Sequence, residues 1–190
     1  MRKRKSNILR GVDWPLIIIY LIFVFLGWLS IYAATYSETE FEVFDLTTKY
    51  GKQMIWILLS MVIIIVILAI DKKFYEQFSG IFYLVSILSL AGLFVFGNNI
   101  NGATSWYSFG SFGIQPSEFA KAATALAIAN YLNERNQDLK KLPNQLKAFG
   151  IIFLPALLIT LQPDPGSALV YGSLILVLYQ FGLPLYYLVI

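Results

Sequence analysis

The 190-residue chain contains no cysteine and no histidine. Without cysteine it can form neither a disulfide nor a thiolate nucleophile. Without histidine it can hold neither a Ser-His-Asp triad nor a His-Cys zinc site. Any acid–base chemistry within the chain must therefore come from aspartate, glutamate, lysine or tyrosine.

Charge is also scarce. Only 13% of the residues are charged and 58% are hydrophobic, whereas a soluble domain carries about 25% charged residues. Several apolar runs are long enough to cross a hydrocarbon core about 30 Å thick. We predict an all-α, polytopic membrane helical bundle with six transmembrane helices and the start of a seventh, at residues 14–34, 53–70, 79–97, 116–132, 149–161, 167–181 and 185–190. Pro155 predicts a kinked or broken fifth helix.

The few basic residues are unevenly distributed. With a cytoplasmic N-terminus, eleven Lys and Arg residues fall on the inner side and three on the outer side, which is a strong positive-inside bias. Residues 1–13 are interpreted as a basic cytoplasmic N-terminus and residues 14–190 as the transmembrane domain. Because the basic cluster abuts a membrane segment, it predicts contact with anionic membrane lipids and not with nucleic acid.

One stretch, 101–121, interrupts the apolar runs with polar, glycine-rich sequence. Its glycines indicate turns, and its aromatic residues suit a bilayer–water boundary. We expect an outward-facing loop here, followed by a helix that begins at Pro116 with Glu118 in its first turn.

Three ionised residues stand at the outer ends of the fourth and sixth predicted helices. Glu118 and Lys121 share one helix face, and the plainer interpretation is a surface ion pair worth roughly 0.2–0.5 kcal/mol. The functional interpretation is that ionisable groups at a membrane helix face a cavity or a partner. Asp164 is expected to cap a helix that begins at Pro165. Convergence of the three would form an outward cavity.

Lys52 and Gln53 open the second predicted helix from the outer side. The plainer interpretation is a lysine that reaches the lipid head groups. The alternative is a cation and an amide that contribute to the same outward cavity and meet a phosphate-bearing lipid.

These motifs resemble those of a known family. The chain contains Asn101-Gly102-Ala103 with Trp106, Phe109-Gly110, Gln115-Pro116-Ser117-Glu118 with Lys121, and Gln162-Pro163-Asp164 with Gly166-Ser167-Ala168-Leu169. Their order and spacing resemble the SEDS family (shape, elongation, division and sporulation), which includes RodA, FtsW and SpoVE. The resemblance covers essentially the whole chain, which resembles the RodA branch of the family more than the FtsW branch.

The resemblance implies a peptidoglycan glycosyltransferase of the bacterial inner membrane. Such proteins polymerise lipid II during cell-wall elongation and cell-shape control, together with a class B penicillin-binding protein. Family members have more spans than this chain, which is expected to be the N-terminal half. The aspartate regarded as the catalytic base is expected beyond Ile190, so the chain alone is expected to be inactive.

The resemblance also assigns a substrate-binding cavity to Lys52, Gln53, Glu118, Lys121 and Asp164. Lys121 and Lys52 would contact the pyrophosphate, while Glu118 and Asp164 would hold Lys121 in place. The family usually has arginine where this chain has Lys52, so bidentate phosphate contact is not expected there. No metal ligand is assigned, although a divalent cation could serve the same chemistry.

Two other functions fit part of the pattern. Polar residues at helix ends and a kinked helix also suit a flippase or transporter of lipid-linked precursors, which should alternate access. A membrane scaffold for cell-wall synthases would instead tolerate substitution of the three ionised residues.

Overall fold

The computed structural model describes residues 13–35, 48–100, 102–110, 112–134 and 138–189. The basic N-terminal residues 1–12, residues 36–47 before the second helix and residues 135–137 lie outside the described residues. The chain forms two compact units, residues 1–70 and 71–190.

Among its described residues, the first unit contains two long apolar helices, α1 (Trp14–Thr35) and α2 (Lys49–Ala69). The Thr48 hydroxyl caps α2 by accepting from the Gly51 N–H at 3.2 Å, so the helix begins before the predicted Gln53. The Trp28 indole donates to the Tyr50 carbonyl at 3.1 Å and joins the two helices. Lys52 therefore lies within the first turn of α2.

The described part of the second unit contains six helices: α3 (Lys72–Phe96), α4 (Pro116–Asn133), α5 (Leu142–Leu161), α6 (Pro165–Val170), α7 (Ser173–Gln180) and α8 (Tyr186–Val189). The third helix begins seven residues before the predicted start at residue 79, because Asp71 caps α3 by accepting from the Lys73 N–H at 2.9 Å. Similarly, α5 begins at Leu142 and not at Phe149, since Pro143 suits the first helical turn.

Four of the described helices, α1, α2, α3 and α5, are long and apolar enough to cross a membrane. The sixth predicted span is divided into α6 and α7, with Tyr171 and Gly172 between them. The fourth, α4, has 18 residues and is less apolar. The prediction of a mostly helical, multi-pass membrane protein is confirmed, and the count of six spans is approximate.

Helix α4 is less apolar because it lies inside the second unit. It packs against α3 and α5, and its buried residues include Ala120, Ala123 and Thr124. Small side chains let neighbouring backbones approach closely, as membrane helix interfaces require. The core around it is formed by large apolar side chains, among them Leu90, Leu93, Ile128, Ile152, Ile159 and Leu178.

The stretch after α3 is a small antiparallel sheet and not the predicted loop. Its strands are β1 (Asn98–Ile100), β2 (Ala103–Phe109) and β3 (Phe112–Ile114), in the order β1-β2-β3. Gly102, with φ of 88°, and Gly110, with φ of 64°, lie at the turns between them. Only glycine adopts these angles without steric cost, and an Asn-Gly pair between strands is a strong hairpin signal.

Pro155 does not break α5, which continues through it as one helix. Proline lacks the N–H that would donate to the carbonyl of Ile151, four residues earlier. The Tyr83 hydroxyl of α3 donates to that carbonyl instead, at 3.0 Å. A tertiary hydrogen bond thus satisfies the freed backbone group, which is how membrane helices tolerate internal proline.

Replacing Tyr83 by phenylalanine should lower the free energy of unfolding by about 1 kcal/mol, because the Ile151 carbonyl loses its donor. In a Pro155→Ala background, where a backbone N–H returns to position 155, the same substitution should lower the free energy of unfolding much less. Unfolding free energies of the four proteins in detergent measure this difference. Tyr179→Phe, at an exposed tyrosine of α7, is the matched control. If Tyr83→Phe lowered the free energy of unfolding equally in both backgrounds, the Tyr83 hydroxyl would not be the replacement donor for the Ile151 carbonyl.

Candidate functional site

The first turns of α4 carry an ion pair. Pro116 occupies the first turn as predicted, and the Lys121 ammonium lies 2.7 Å from Oε1 of Glu118. The two side chains differ in exposure, at 24% for Lys121 and 56% for Glu118. The lysine therefore lies largely against the protein while the carboxylate reaches outward. If it were an isolated surface pair, this contact would contribute about 0.2–1 kcal/mol to the free energy of unfolding.

Asp164 lies at the start of α6 and makes two side-chain hydrogen bonds. Its Oδ1 accepts from the Ser167 N–H at 3.1 Å, which is the predicted helix cap. Its Oδ2 accepts from Nε2 of Gln115 at 3.1 Å. Since Gln115 immediately precedes α4, this second bond connects the starts of α4 and α6. Asp164 is thereby placed beside the helix that carries Glu118 and Lys121.

One detail of the predicted arrangement is wrong. Within the part of the chain that the structure describes, Lys121 forms an ion pair with Glu118 alone, and Asp164 forms none. Asp164 therefore does not hold Lys121 directly. Its carboxylate is bound by an amide and a backbone N–H, and the bond to Gln115 connects it to the start of α4, the helix that carries Lys121.

Gln162, at the end of α5, ties the sheet to the helices. Its side chain is 1% exposed and donates from Nε2 to the Leu90 carbonyl of α3 at 2.8 Å. Its own backbone carbonyl accepts from the Thr104 N–H of β2 at 3.2 Å. Because Asp164 follows two residues later, these bonds fix the segment from which its carboxylate projects.

A second contact fastens the sheet to α3. The Tyr107 hydroxyl of β2 donates to the Ser89 carbonyl at 2.8 Å. Gly92 makes room for it, since a Cβ at position 92 would lie 2.5 Å from the Tyr107 hydroxyl oxygen. The absence of a side chain at Gly92 therefore lets the tyrosine reach the helix backbone.

Five polar atoms are buried in the described part of the second unit. Oγ of Ser105, Oγ of Ser117 and Oε1 of Gln162 have no hydrogen-bond partner, whereas the hydroxyls of Thr124 and Tyr171 are close enough to interact only with each other. Buried polar groups are almost always paired because an unpaired one is costly. Four of these residues, Ser117, Thr124, Gln162 and Tyr171, belong to α4 or to the segment that connects α5 to α7. The interior beside Asp164 is therefore polar, unlike a surface that packs against lipid tails.

Lys52 and Gln53 belong to the first unit. Lys52 is exposed, and Gln53 is half-buried and lines a cleft of about 380 Å³ between α1 and α2, together with Trp28 and Trp56. Their participation in a cavity with Glu118, Lys121 and Asp164 stays a prediction from the sequence.

The described residues include no group of three or more Asp or Glu side chains that could hold a metal ion. Glu118 and Asp164 remain as two separate carboxylates, one paired with lysine and one with an amide. Divalent cations prefer several oxygen ligands, so residues beyond these two would be needed to complete such a site.

Comparison with known proteins places this arrangement in a family. The family model for FtsW, RodA and SpoVE, described as "Cell cycle protein", matches residues 13–190. The chain belongs to this family. It is 35% identical over 181 residues to the peptidoglycan glycosyltransferase RodA of Treponema pallidum, covering 93% of this chain and 41% of that protein.

Two solved structures agree with the family membership. The crystal structure of the rod shape determining protein RodA of Thermus thermophilus matches with a TM-score of 0.78 and 25% identity, over 90% of this chain and 54% of that one. A structure described as "Structural coordination of polymerization and crosslinking by a peptidoglycan synthase complex" matches with a TM-score of 0.78 and 26% identity, over 93% and 50%. The chain thus spans about half the length of the FtsW/RodA/SpoVE relatives that it matches.

Two site residues were not identified from the sequence as part of the site. Gln115 and Gln162 entered the sequence analysis only as members of the family motifs, without a role in the site. Each is followed directly by proline, and each stands within three residues of an acidic side chain. This repeated Gln-Pro pair was the available signal that both amides support the ends of neighbouring helices.

Proposed function

We propose that this chain is part of a peptidoglycan glycosyltransferase of the RodA type, which polymerises lipid II into glycan strands during cell-wall elongation. The observation that carries the proposal is the set of polar contacts at the starts of α4 and α6. There the Lys121–Glu118 pair lies on a helix that is bound to Asp164 through Gln115. The names of the relatives support the same reaction class.

The chemistry requires stabilisation of a departing diphosphate. Transfer of a sugar from a lipid pyrophosphate develops negative charge on the leaving group, and a preorganised cation lowers the free energy of that transition state. A lysine ammonium has three N–H donors, and Glu118 occupies one of them. Two donors of Lys121 therefore remain for phosphate oxygens, with the positive end of the α4 dipole close by.

Glu118 has a supporting role in this proposal. The 2.7 Å contact fixes the position of the Lys121 ammonium before substrate arrives. Lysine side chains lose considerable rotamer entropy when they are immobilised, so this contact reduces the cost of binding. The acceptor hydroxyl needs a base, which we assign to an aspartate outside these 190 residues. A divalent cation and Lys52 remain predicted contributors to binding of the pyrophosphate.

A class B penicillin-binding protein is the proposed partner. The similarity to a structure described as a peptidoglycan synthase complex supports it. Exposed apolar side chains on the membrane helices, such as Phe94, Val95 and Phe96 at the end of α3, show that these helices expose surfaces suited to lipid or to other transmembrane helices.

Replacing Lys121 by alanine in the complete protein should reduce lipid II polymerisation at least about 100-fold, because one preorganised charge contact to the leaving group is lost. The measurement is glycan-strand formation from lipid II by purified protein reconstituted with its partner. Lys72→Ala is the matched control, because Lys72 also forms an ion pair on a helix, with Glu76 at 3.8 Å, but at the predicted inner end of α3.

Unfolding temperatures of the two variants should match that of the wild type within a few degrees, since each loses one ion pair and neither lysine side chain is fully buried. Normal polymerisation by a folded Lys121→Ala protein would end the proposal.

A transporter of lipid-linked precursors is the second candidate. The division of the sixth predicted span into α6 and α7 favours it, since discontinuous helices line the binding sites of many transporters. Reconstituted vesicles distinguish the two functions. Polymerisation without movement of lipid II between leaflets supports the enzyme, whereas movement without polymerisation supports the transporter.

We also propose that the N-terminus is cytoplasmic and that the sheet and the ion pair face outward. The excess of Lys and Arg in the predicted inner segments supports this orientation. The chain contains no cysteine, so single cysteines can report it.

In a complete protein otherwise free of cysteine, Ser108→Cys on β2 should react with a membrane-impermeant maleimide added to intact spheroplasts. Lys141→Cys, before α5, should react only after the membrane is permeabilised. Both positions are exposed, so a difference in labelling between them cannot be caused by burial of either side chain. The reverse pattern of labelling would overturn the orientation.

A further inference from the structure

We infer that Gln115 is a positioning residue for the proposed glycosyl transfer, which orients the Asp164 carboxylate and holds α4 beside it. The inference rests on the proposed function and adds to it a residue that touches neither donor nor acceptor. It begins from the 3.1 Å hydrogen bond between Nε2 of Gln115 and Oδ2 of Asp164. These two residues stand 49 positions apart in the chain, so the contact is tertiary and not a local turn.

The position of Gln115 makes its side chain unusual. It occupies the N-cap of α4 but makes no capping hydrogen bond. An N-cap side chain normally accepts from a backbone N–H of the first turn, and Ser, Thr, Asp and Asn do this best. Here the amide is longer and donates away from its own helix. The Gln115 side chain therefore binds Asp164 and does not cap α4.

Asp164 needs this second donor to have a single orientation. The Ser167 N–H binds Oδ1, which alone would leave Oδ2 free to rotate about the capping bond. The Gln115 amide binds Oδ2, so both oxygens are fixed. Each carboxylate oxygen has a further lone pair, which remains available for a hydroxyl or a cation. Precise orientation of such groups is worth large factors in rate.

The same bond also positions the lysine. Glu118 and Lys121 lie within two turns of Gln115 on α4, and the helix is continuous from Pro116. Movement of the α4 start relative to Asp164 would displace the ammonium from the leaving group. Gln115 thus acts on two proposed site residues through one contact.

The electrostatic surroundings allow a sharp test. Residues 98–114 carry no Asp, Glu, Lys or Arg, and α6 carries none after its Asp164 cap. The neighbouring ionised groups on α4 are Glu118 and Lys121. A carboxyl group introduced at position 115 would therefore interact with Asp164 at hydrogen-bond distance and with these two groups on its own helix.

The experiment compares Gln115→Met and Gln115→Glu in the complete protein, reconstituted with its partner, with lipid II polymerisation measured between about pH 5 and pH 8. Methionine keeps the length of the side chain and removes the donor. It should lower kcat about 10- to 100-fold at every pH, which is the loss expected for a hydrogen bond to a charged group. KM should change less than kcat, since Gln115 does not contact substrate.

Gln115→Glu should be as impaired as Gln115→Met near neutral pH, because two carboxylates at hydrogen-bond distance repel. As the pH falls, the pair takes up one shared proton. The introduced carboxyl group, once protonated, can then donate to Oδ2 of Asp164, and activity should recover at least about fivefold relative to wild type at the same pH. A role of Gln115 that did not depend on donation to Asp164 would give no such recovery. Gln180→Met, at an exposed glutamine of α7, is the control and should polymerise normally.

The outcomes separate the two proposals. Activity of Gln115→Met within twofold of an active wild type overturns the role of Gln115 and leaves the glycosyltransferase proposal standing. Loss of activity in both variants without acid recovery in Gln115→Glu also overturns it. A correctly folded wild type that forms no glycan strands overturns both.

Discussion

The Gln115–Asp164 hydrogen bond is the contact on which the arrangement of the second unit's polar site depends. It joins two helices that begin in different motifs, and no apolar contact could set the orientation of a carboxylate in the same way. A membrane helix bundle has little hydrophobic driving force between its helices. Polar contacts at defined positions therefore decide how the helix ends meet, and here that meeting point carries Glu118, Lys121 and Asp164.

The surrounding structure supports this contact by satisfying backbone groups through tertiary bonds. Gln162 bridges α3 and β2, and Tyr107 fastens β2 to α3 where Gly92 leaves room. Tyr83 supplies the donor that Pro155 withholds from Ile151. In each case a side chain from another element completes a hydrogen bond that the local chain cannot make. These contacts fix the backbone around the site by hydrogen bonds that need no substrate, and preorganised stabilisation of charge requires such support.

Much of the fold could be predicted from the sequence because the signals were local. Long apolar runs predicted the helices, and Pro116, Asp164 and Pro165 predicted where α4 and α6 begin. The helix starts at Thr48 and Asp71 were missed because their charged neighbours suggested loops, although both residues are good N-caps. The sheet was missed because the turn glycines were identified without the strands between them. The consequence of Pro155 and the role of Gln115 could not be predicted, since both depend on residues distant in the chain, Tyr83 and Asp164.

The most direct test of the Gln115–Asp164 contact is a double-mutant cycle between Gln115→Ala and Asp164→Ala, measured as unfolding free energies of the purified protein in detergent. The cycle cancels the loss of the α6 cap, which occurs in both proteins that lack Asp164. Residues in direct contact show coupling energies of about 0.5–3 kcal/mol, and we expect a value in this range. Additive effects within about 0.3 kcal/mol would show that the two side chains do not interact, and would contradict the claim that the two motifs form one site.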